Sequence, residues 1–330
     1  MTIPSFKILK KNAAERVAAA ENSKKIVLIY VGAVTVLALL VTVVNYALKL
    51  QISQLGGLSN MGLRSVLSTI QSVLPMLQSV VTLCLQLGYM AAMLRVARQQ
   101  YASEQTLKLG FDRFWVLLRY VILESCLYTL AGLAAFWIAV QVYLLTPLSG
   151  SAMSMLTPEM ADPNVIMELL QDPVFAGEIT SAMLPLFILF GILYAVLFVP
   201  INYSLRMGRY VLIDKPGQGA VFAMKESRNM MRGSRVRLFK LDVSLWWWYA
   251  ISVVSSALCY GDVLLPLVGV ELPFSADFSY FLFYGLFLAA QFLAAYFFGN
   301  YIQVVYAQVY NALKPREKDT GVVLGNIFQM

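Results

Sequence analysis

The sequence contains no histidine and little charge. Histidine is the commonest side chain for acid–base catalysis and a common metal ligand at neutral pH, so its absence argues against the usual forms of both. Charged residues make up 13% of the chain, whereas soluble domains carry about 25%. The hydrophobic share is 59%, and no soluble fold of 330 residues can bury that much apolar surface. The composition therefore predicts an integral membrane protein.

Cysteine is also scarce, and the sequence has no recognisable catalytic set. Cys84, Cys126 and Cys259 lie in or beside apolar runs, without the spacing of a metal site or a disulfide framework. The chain shows no carboxylate pair at a useful spacing, no phosphate-binding glycine loop and no nucleophile beside a base. We therefore expect a protein that is not an enzyme and that uses no cofactor and no metal.

Six apolar stretches are long enough to cross a bilayer, since about 20 helical residues cross about 30 Å of hydrocarbon. The predicted spans are residues 26–48, 66–93, 114–145, 183–205, 238–259 and 278–310. The run that begins at Ile26 is too long for a signal peptide, so we expect it to remain as the first span. We predict an all-α membrane bundle over residues 26–313, with cytoplasmic segments at residues 1–25 and 314–330.

The charges between the predicted spans set the direction of the chain. Residues 146–182 and 260–277 carry acids and no basic residue, whereas lysine and arginine are concentrated before the first span, between the second and third spans, between the fourth and fifth, and in the tail. Only Lys49 and Arg64 fall on the acidic side. The positive-inside rule therefore places both termini in the cytoplasm, as an even number of spans requires. The net charge of +7 is thus better explained by anionic lipid headgroups at the cytoplasmic face than by nucleic acid.

The predicted spans also suggest three helical hairpins in series, each after a basic lead-in. Tyr89, Tyr203 and Tyr301 each follow a glycine or an asparagine near the cytoplasmic end of a returning span. Tyrosine is enriched at membrane interfaces in any case, so the interface preference alone is the alternative explanation.

Residues 220–232 are predicted to form an amphipathic helix on the cytoplasmic leaflet. Its apolar face has helical spacing and consists of Ala220, Ala223, Met224, Ser227, Met230 and Met231. The candidate contacts with anionic lipid, on this helix and just after it, are Lys225, Arg228, Arg232, Arg235, Arg237 and Lys240. A topology signal without lipid preference is the alternative interpretation.

The second span carries a stripe of polar side chains, which we call the polar stripe. Its members are Ser68, Gln71, Ser72, Gln78, Ser79, Thr82 and Gln86. At about 100° per residue they share about 120° of the helix surface. Polar groups facing lipid are costly, so the stripe is expected either to line a polar cavity or to form interhelical hydrogen bonds. Glu124, in the third span, is the leading candidate for a functional acid, and a structural hydrogen bond is its alternative.

Two motifs in the second half of the chain resemble those of a known family. One reads "Y…Y-x-L-x-D-x-P" and the other "S…M-[KR]-G…F-x-L-x-x-S". They are matched by Tyr203, Tyr210, Leu212, Asp214 and Pro216, and by Ser227, Met231, Arg232, Gly233, Phe239, Leu241 and Ser244. The chain thus resembles the bacterial multipass membrane family called domain of unknown function 975. It departs from that pattern in the tryptophan run after Ser244 and in the acidic segment at residues 151–182.

The resemblance implies an architecture and a bacterial cytoplasmic membrane, but no reaction. The family looks distantly similar to the membrane domain of some glycerophosphodiester phosphodiesterases, which points to lipid-related work. The first hypothesis is therefore a non-enzymatic membrane component that handles or senses lipid or another amphipathic cargo, or supports a membrane complex as a partner or homo-oligomer. The alternative is a small-solute transporter or channel that uses the polar stripe and Glu124.

Overall fold

The computed structural model describes residues 4–55, 60–147, 149–150, 173–267 and 274–314. Within these ranges all regular structure is helical, which confirms the all-α class. The α-helices are α1 (Phe6–Ala19), α2 (Ser23–Gln54), α3 (Met61–Ala97), α4 (Leu109–Asp112), α5 (Phe114–Leu144), α6 (Pro173–Leu205), α7 (Gly208–Asp214), α8 (Ala220–Met231), α9 (Arg235–Ser244), α10 (Trp246–Leu258), α11 (Gly261–Leu267), α12 (Ala276–Ala294) and α13 (Asn300–Leu313). A 3-10 turn (Glu104–Lys108) precedes α4, and a π-helical turn (Ala295–Gly299) joins α12 to α13.

Five helices in the described ranges are long and apolar enough to cross a membrane. They are α2, α3, α5, the stretch Thr180–Asp214 containing most of α6 and all of α7, and the stretch Asp277–Leu313 containing α12 and α13. The span predicted at residues 238–259 is instead divided into α9 and α10 at Leu245, which leaves helical geometry with φ −109° and ψ 20°. The 13 residues of α10 extend only about 20 Å. Within the described ranges five helices are thus long and apolar enough to span a membrane, and the sixth predicted crossing stays a prediction.

The chain divides into two compact units. The first contains residues 1–117 and 207–330, and in it α2 packs along α3, and α10 along α12. The second unit contains residues 118–206, where α5 and α6 run side by side. The Tyr120 hydroxyl donates to the Leu205 carbonyl oxygen at 2.9 Å near one end of this pair, and that of Tyr143 donates to the Ala182 carbonyl at 2.8 Å near the other. The second unit is therefore an antiparallel helical hairpin.

The long helices expose apolar side chains. Leu40 in α2, Leu133 in α5 and Ile192 in α6 are each about 60% exposed. Such surface is expected on a protein whose solvent is lipid, because a lipid-facing leucine or isoleucine needs no cover. The exposure pattern therefore agrees with the membrane assignment from composition.

Both ends of the described chain meet at one end of the first unit. Helix α1 packs against α13 and the last turns of α3. With its amide oriented to suit its neighbours, Gln308 donates to the Leu9 carbonyl oxygen and accepts from the Ala13 N–H, both at 3.1 Å. The Lys10 ammonium donates to the Ser244 carbonyl oxygen at 2.7 Å, and so satisfies a free carbonyl at the end of α9. We call this the terminal end of the first unit.

Two glycines allow the segment before α5 to lie directly on α3. A Cβ atom at Gly110 would come within 3.0 Å of the Cys84 carbonyl group, and one at Gly88 within 3.0 Å of that of Leu107. Both contacts are to backbone atoms, so no side-chain rotation can relieve them. Glycine is therefore needed at both positions for the observed approach of the two backbones.

Candidate functional site

A groove of about 540 Å³ lies between α2, α3 and α12, within the spanning segments of the first unit. We call it the intramembrane groove. Its polar lining consists of Tyr30, Thr35, Gln78, Ser79, Thr82, Gln86, Tyr284 and Gln291. Its apolar lining consists of Val31, Val34, Ala38, Leu83, Phe287, Leu288, Phe292 and Ala295. The volume is within the usual range for small-molecule sites, about 300–1,000 Å³.

Four members of the polar stripe line this groove, and their hydrogen bonds differ. The Ser79 hydroxyl donates to the Pro75 carbonyl oxygen of its own helix at 2.8 Å. The Gln86 side-chain oxygen accepts from the Arg209 guanidinium at 3.3 Å. The amides of Gln78 and Gln291 have no hydrogen-bond partner among the residues that the structure describes. Both side chains are half-buried, and each amide can donate and accept hydrogen bonds with a molecule in the groove.

The other three members of the polar stripe continue along the same face of α3 and do not line the groove. Ser68 and Ser72 are exposed, Gln71 is half-buried, and the Ser72 hydroxyl donates to the Ser68 carbonyl oxygen at 2.9 Å. Within the described ranges, the contact between Gln86 and Arg209 is the one interhelical hydrogen bond seen for the whole stripe. Interhelical bonding, the alternative explanation of the stripe, is thus seen at Gln86.

A chain of aromatic and polar contacts lies next to Tyr30, toward the terminal end. The Tyr30 and Tyr89 rings stack with their centroids 4.4 Å apart. The Tyr89 hydroxyl donates to Asn300 Oδ1 at 2.8 Å, and the Asn300 amide donates to the Ser23 carbonyl oxygen at 2.9 Å. Gly299, the last residue of the π-helical turn, leaves room for the Tyr89 hydroxyl, which a Cβ atom there would approach to 3.2 Å. These contacts join α2, α3 and α13 beside the groove.

Glu124, the predicted functional acid, belongs to the second unit. The Tyr128 hydroxyl, one helical turn further along α5, donates to the Glu124 carboxylate at 3.3 Å. The same hydroxyl lies 3.5 Å from the Asn202 side-chain oxygen on α6. The carboxylate thus has a tyrosine partner within its own helical hairpin.

The amphipathic helix predicted from the sequence is α8. Its buried residues are Ala220, Ala223, Ser227, Met230 and Met231, all on the predicted face, and Met224 is half-buried. The backbone N–H of Met207 donates to the Ser227 hydroxyl at 3.2 Å, so protein covers this face. The exposed candidate lipid contacts are Lys225, Arg228, Arg232, Arg237 and Lys240. Arg235 is half-buried, and its Nε atom is buried without a hydrogen-bond acceptor among the described residues.

Asp214 has three partners at the terminal end, and in the sequence it stands out only as part of a family motif. Its side chain is 9% exposed, and its carboxylate accepts from Arg98 at 2.8 Å, from Lys314 at 2.7 Å and from the Tyr310 hydroxyl at 3.0 Å. Arg98 also donates through Nε to Asn311 Oδ1 at 3.0 Å. Asp214 therefore joins the end of α3, the end of α7 and the end of α13.

Arg113 holds the connection before α5 against α7. Its guanidinium donates to the carbonyl oxygens of Leu212 and Ile213 at 2.8 and 3.0 Å, in the last turn of α7. Burial lowers the pKa of this guanidinium from its ordinary value, and the neighbouring Asp112 carboxylate opposes that effect. A cation at the end of a helix also suits the negative end of the helix dipole.

Comparison with known proteins identifies a family but no activity. A family model described as a protein of unknown function (DUF975) matches residues 14–317. No curated protein and no solved structure matches the chain. In the described residues, no group of three or more histidine, cysteine, aspartate or glutamate side chains is placed to hold a metal ion.

Proposed function

The chain belongs to the family of proteins of unknown function DUF975, and from its geometry we propose that it binds an amphipathic lipid in the intramembrane groove. The observation that carries the proposal is the mixed lining of that groove, to which each of the three helices contributes both polar and apolar side chains. The amides and hydroxyls suit the ester and headgroup atoms of a lipid. The aliphatic and aromatic side chains suit its hydrocarbon chains.

The lining also favours lipid over the alternative cargo, a small polar solute. A small polar solute would use the polar groups and leave Val34, Phe287 and Phe292 without an apolar partner. The outer part of the polar stripe lies outside the groove, so the groove by itself is not a conduit lined by the whole stripe. Both features support binding of an amphipathic molecule.

We propose that this binding involves no chemical reaction on the lipid. The groove lining contains hydroxyls and neutral amides, and no carboxylate, lysine or arginine. Ser79 and Thr82 have no base among the lining residues to activate them, and the Ser79 proton is bonded to the backbone. The arrangement supports recognition by hydrogen bonds and apolar contact.

We also propose six membrane crossings, with both termini in the cytoplasm of a bacterial cell. Helices α10 and α11 together cover residues 246–267, which extend about 33 Å if they continue in one direction. Their packing on α12 and the meeting of α1 with α13 support this topology. The exposed cations of α8 and α9 would then face anionic headgroups of the cytoplasmic leaflet.

Cysteine labelling tests the topology. In a variant whose native cysteines are replaced by serine, we expect Ser149→Cys and Phe274→Cys to react with a membrane-impermeant maleimide in intact cells. Tyr101→Cys and Gln218→Cys are expected to react only after the cells are opened, because they precede spans that leave the cytoplasm. If Phe274→Cys behaved like Gln218→Cys, the crossing through α10 and α11 would be ruled out.

Photo-crosslinking tests lipid binding. In nanodiscs containing a phospholipid with a photoreactive acyl chain, we expect crosslinks concentrated on the groove faces of α2, α3 and α12. Combining Gln78→Leu with Gln291→Leu removes two hydrogen-bonding groups and is expected to lower this labelling about tenfold. Gln71→Leu is the matched control, because it makes the same change on the polar stripe outside the groove. Equal labelling of all three proteins would contradict the proposal.

A further inference from the structure

We propose that the polar stripe extends the intramembrane groove into a path along which a phospholipid headgroup crosses the membrane. The protein would then exchange phospholipids between the two leaflets while their acyl chains stay in the bilayer. The inference rests on the proposed lipid binding in the groove, and it adds an activity to that binding.

The length of the stripe fits a complete crossing. From Ser68 to Gln86 the helix rises about 27 Å, close to the 30 Å or so of the hydrocarbon core. The three glutamines, Gln71, Gln78 and Gln86, follow each other at about 10–12 Å along this line. A headgroup moving along α3 would pass from one amide to the next, and each amide both donates and accepts hydrogen bonds.

The outer part of the path is open on the lipid side. Ser68 and Ser72 are exposed, as is their apolar neighbour Met76, which is 68% exposed. The Ser72 and Ser79 protons are bonded to carbonyl oxygens of the same helix, so their oxygens remain free to accept. A polar line beside a lipid-exposed methionine lets the headgroup move along the protein while the chains remain in lipid.

Helix α2 adds an independent observation on the facing wall. Asn45 lies seven residues beyond Ala38 on the groove face of α2, about 10 Å further from the terminal end. Its side-chain oxygen is buried and accepts no hydrogen bond from any residue that the structure describes. Because α2 and α3 are antiparallel neighbours, going from Ala38 to Asn45 along α2 is a move in the same direction as going from Gln78 to Gln71 along α3. A buried, unsatisfied polar atom thus lies on α2 at the depth of the outer path.

The inner end of the path carries a cation. Arg209 lies 3.3 Å from Gln86, where a headgroup leaving the groove toward the terminal end would arrive. A guanidinium at this point suits the phosphate that glycerophospholipids share. The rest of the stripe is uncharged, so the path would accept zwitterionic and anionic glycerophospholipids alike. The sequence has no phosphate-binding glycine loop, so the exchange would run without nucleotide hydrolysis.

The test uses the full chain in proteoliposomes that contain a phospholipid with a fluorescent headgroup, bleached from outside by dithionite. We expect the wild-type protein to make nearly all of the dye accessible to dithionite. In protein-free vesicles, the dye in the inner leaflet is expected to stay fluorescent. Gln71→Leu is expected to slow the exchange about tenfold while leaving the photo-crosslinks in the groove unchanged. Thr69→Val is the matched control, since Thr69 is a polar residue of α3 that is not part of the polar stripe.

The outcomes separate this inference from the proposed binding. Crosslinks in the groove without any exchange would overturn the headgroup path and leave the binding intact. An exchange that Gln71→Leu does not slow would also overturn it, as would bleaching of a water-soluble dye trapped in the vesicles, which reports a leak. If Gln71→Leu changed the oligomeric state in mass photometry, the stripe would be an interface between copies and the path would be refuted.

Discussion

Replacing Asp214 by alanine is expected to destabilise the protein by about 2–3 kcal/mol, a lowering of the melting temperature of about 5 °C for a chain of this size. The carboxylate accepts from Arg98, Lys314 and Tyr310, and its removal leaves two cations and a hydroxyl without their common acceptor. The side chains of Arg98 and Lys314 remain 27% and 34% exposed. Water therefore reaches them, and the cost stays below that of a fully buried ion pair.

The effect of Asp214→Ala is measured by tryptophan fluorescence on heating in detergent micelles. Glu15→Ala is the matched control, because Glu15 pairs with Lys11 at 3.8 Å on the exposed surface of α1, with side chains 63% and 76% exposed. Exposed pairs of this kind contribute little, so the control is expected to melt like the wild type. Melting of Asp214→Ala at the same temperature as the control would show that the three-way contact adds no stability.

Replacing Gly110 by alanine is expected to have an effect of similar size, through packing and not through charge. The added Cβ atom meets the Cys84 backbone, so the segment before α5 must move away from α3. Overpacking of this kind costs about 1–3 kcal/mol, and more where the obstacle cannot rotate away. Gly88→Ala, which acts at the same interface from the α3 side, is expected to give the same result.

The yield of monodisperse protein in fluorescence-detected size exclusion and its melting temperature measure this second prediction. Gly32→Ala in α2 is the control, because no atom lies within 4 Å of the added Cβ. In a helix interior this change raises stability by up to about 1 kcal/mol. If Gly110→Ala and Gly32→Ala changed the melting temperature in the same direction, the close backbone contact would be disproved.

The helices that cross the membrane are largely predictable from local composition. The third predicted span, residues 114–145, differs by one residue from α5, Phe114–Leu144. The break at Leu245 was not predicted, because no proline or glycine marks the site; the signal that could have indicated it is Lys240 and Asp242, which make residues 238–244 more polar than the apolar run that follows. The break accompanies long-range packing: Leu245 is fully buried, and Lys10 satisfies the carbonyl of the preceding residue.

The candidate site likewise combines features that the sequence predicts with features that depend on packing. The 3.6-residue period placed the polar stripe on one face of α3. Thr35 and Gln291, which add polar groups to the groove from α2 and α12, are single polar residues in apolar runs and give no periodic signal. Asp242, just before the break, accepts from the Tyr306 hydroxyl at 2.6 Å, and its partner is 64 residues away in the chain. Such contacts have no local signature.

The sequence by itself determined the class of protein, most of its spanning segments and the faces of α3 and α8. Those properties depend on hydrophobicity and helical period, which are summed over neighbouring residues. The tertiary structure alone decided which part of the polar stripe lines a groove, that α9 and α10 are separate helices, and that Asp214 joins three segments. These features depend on contacts between residues far apart in the chain, such as Tyr310 and Asp214, because they exist only once the helices have packed.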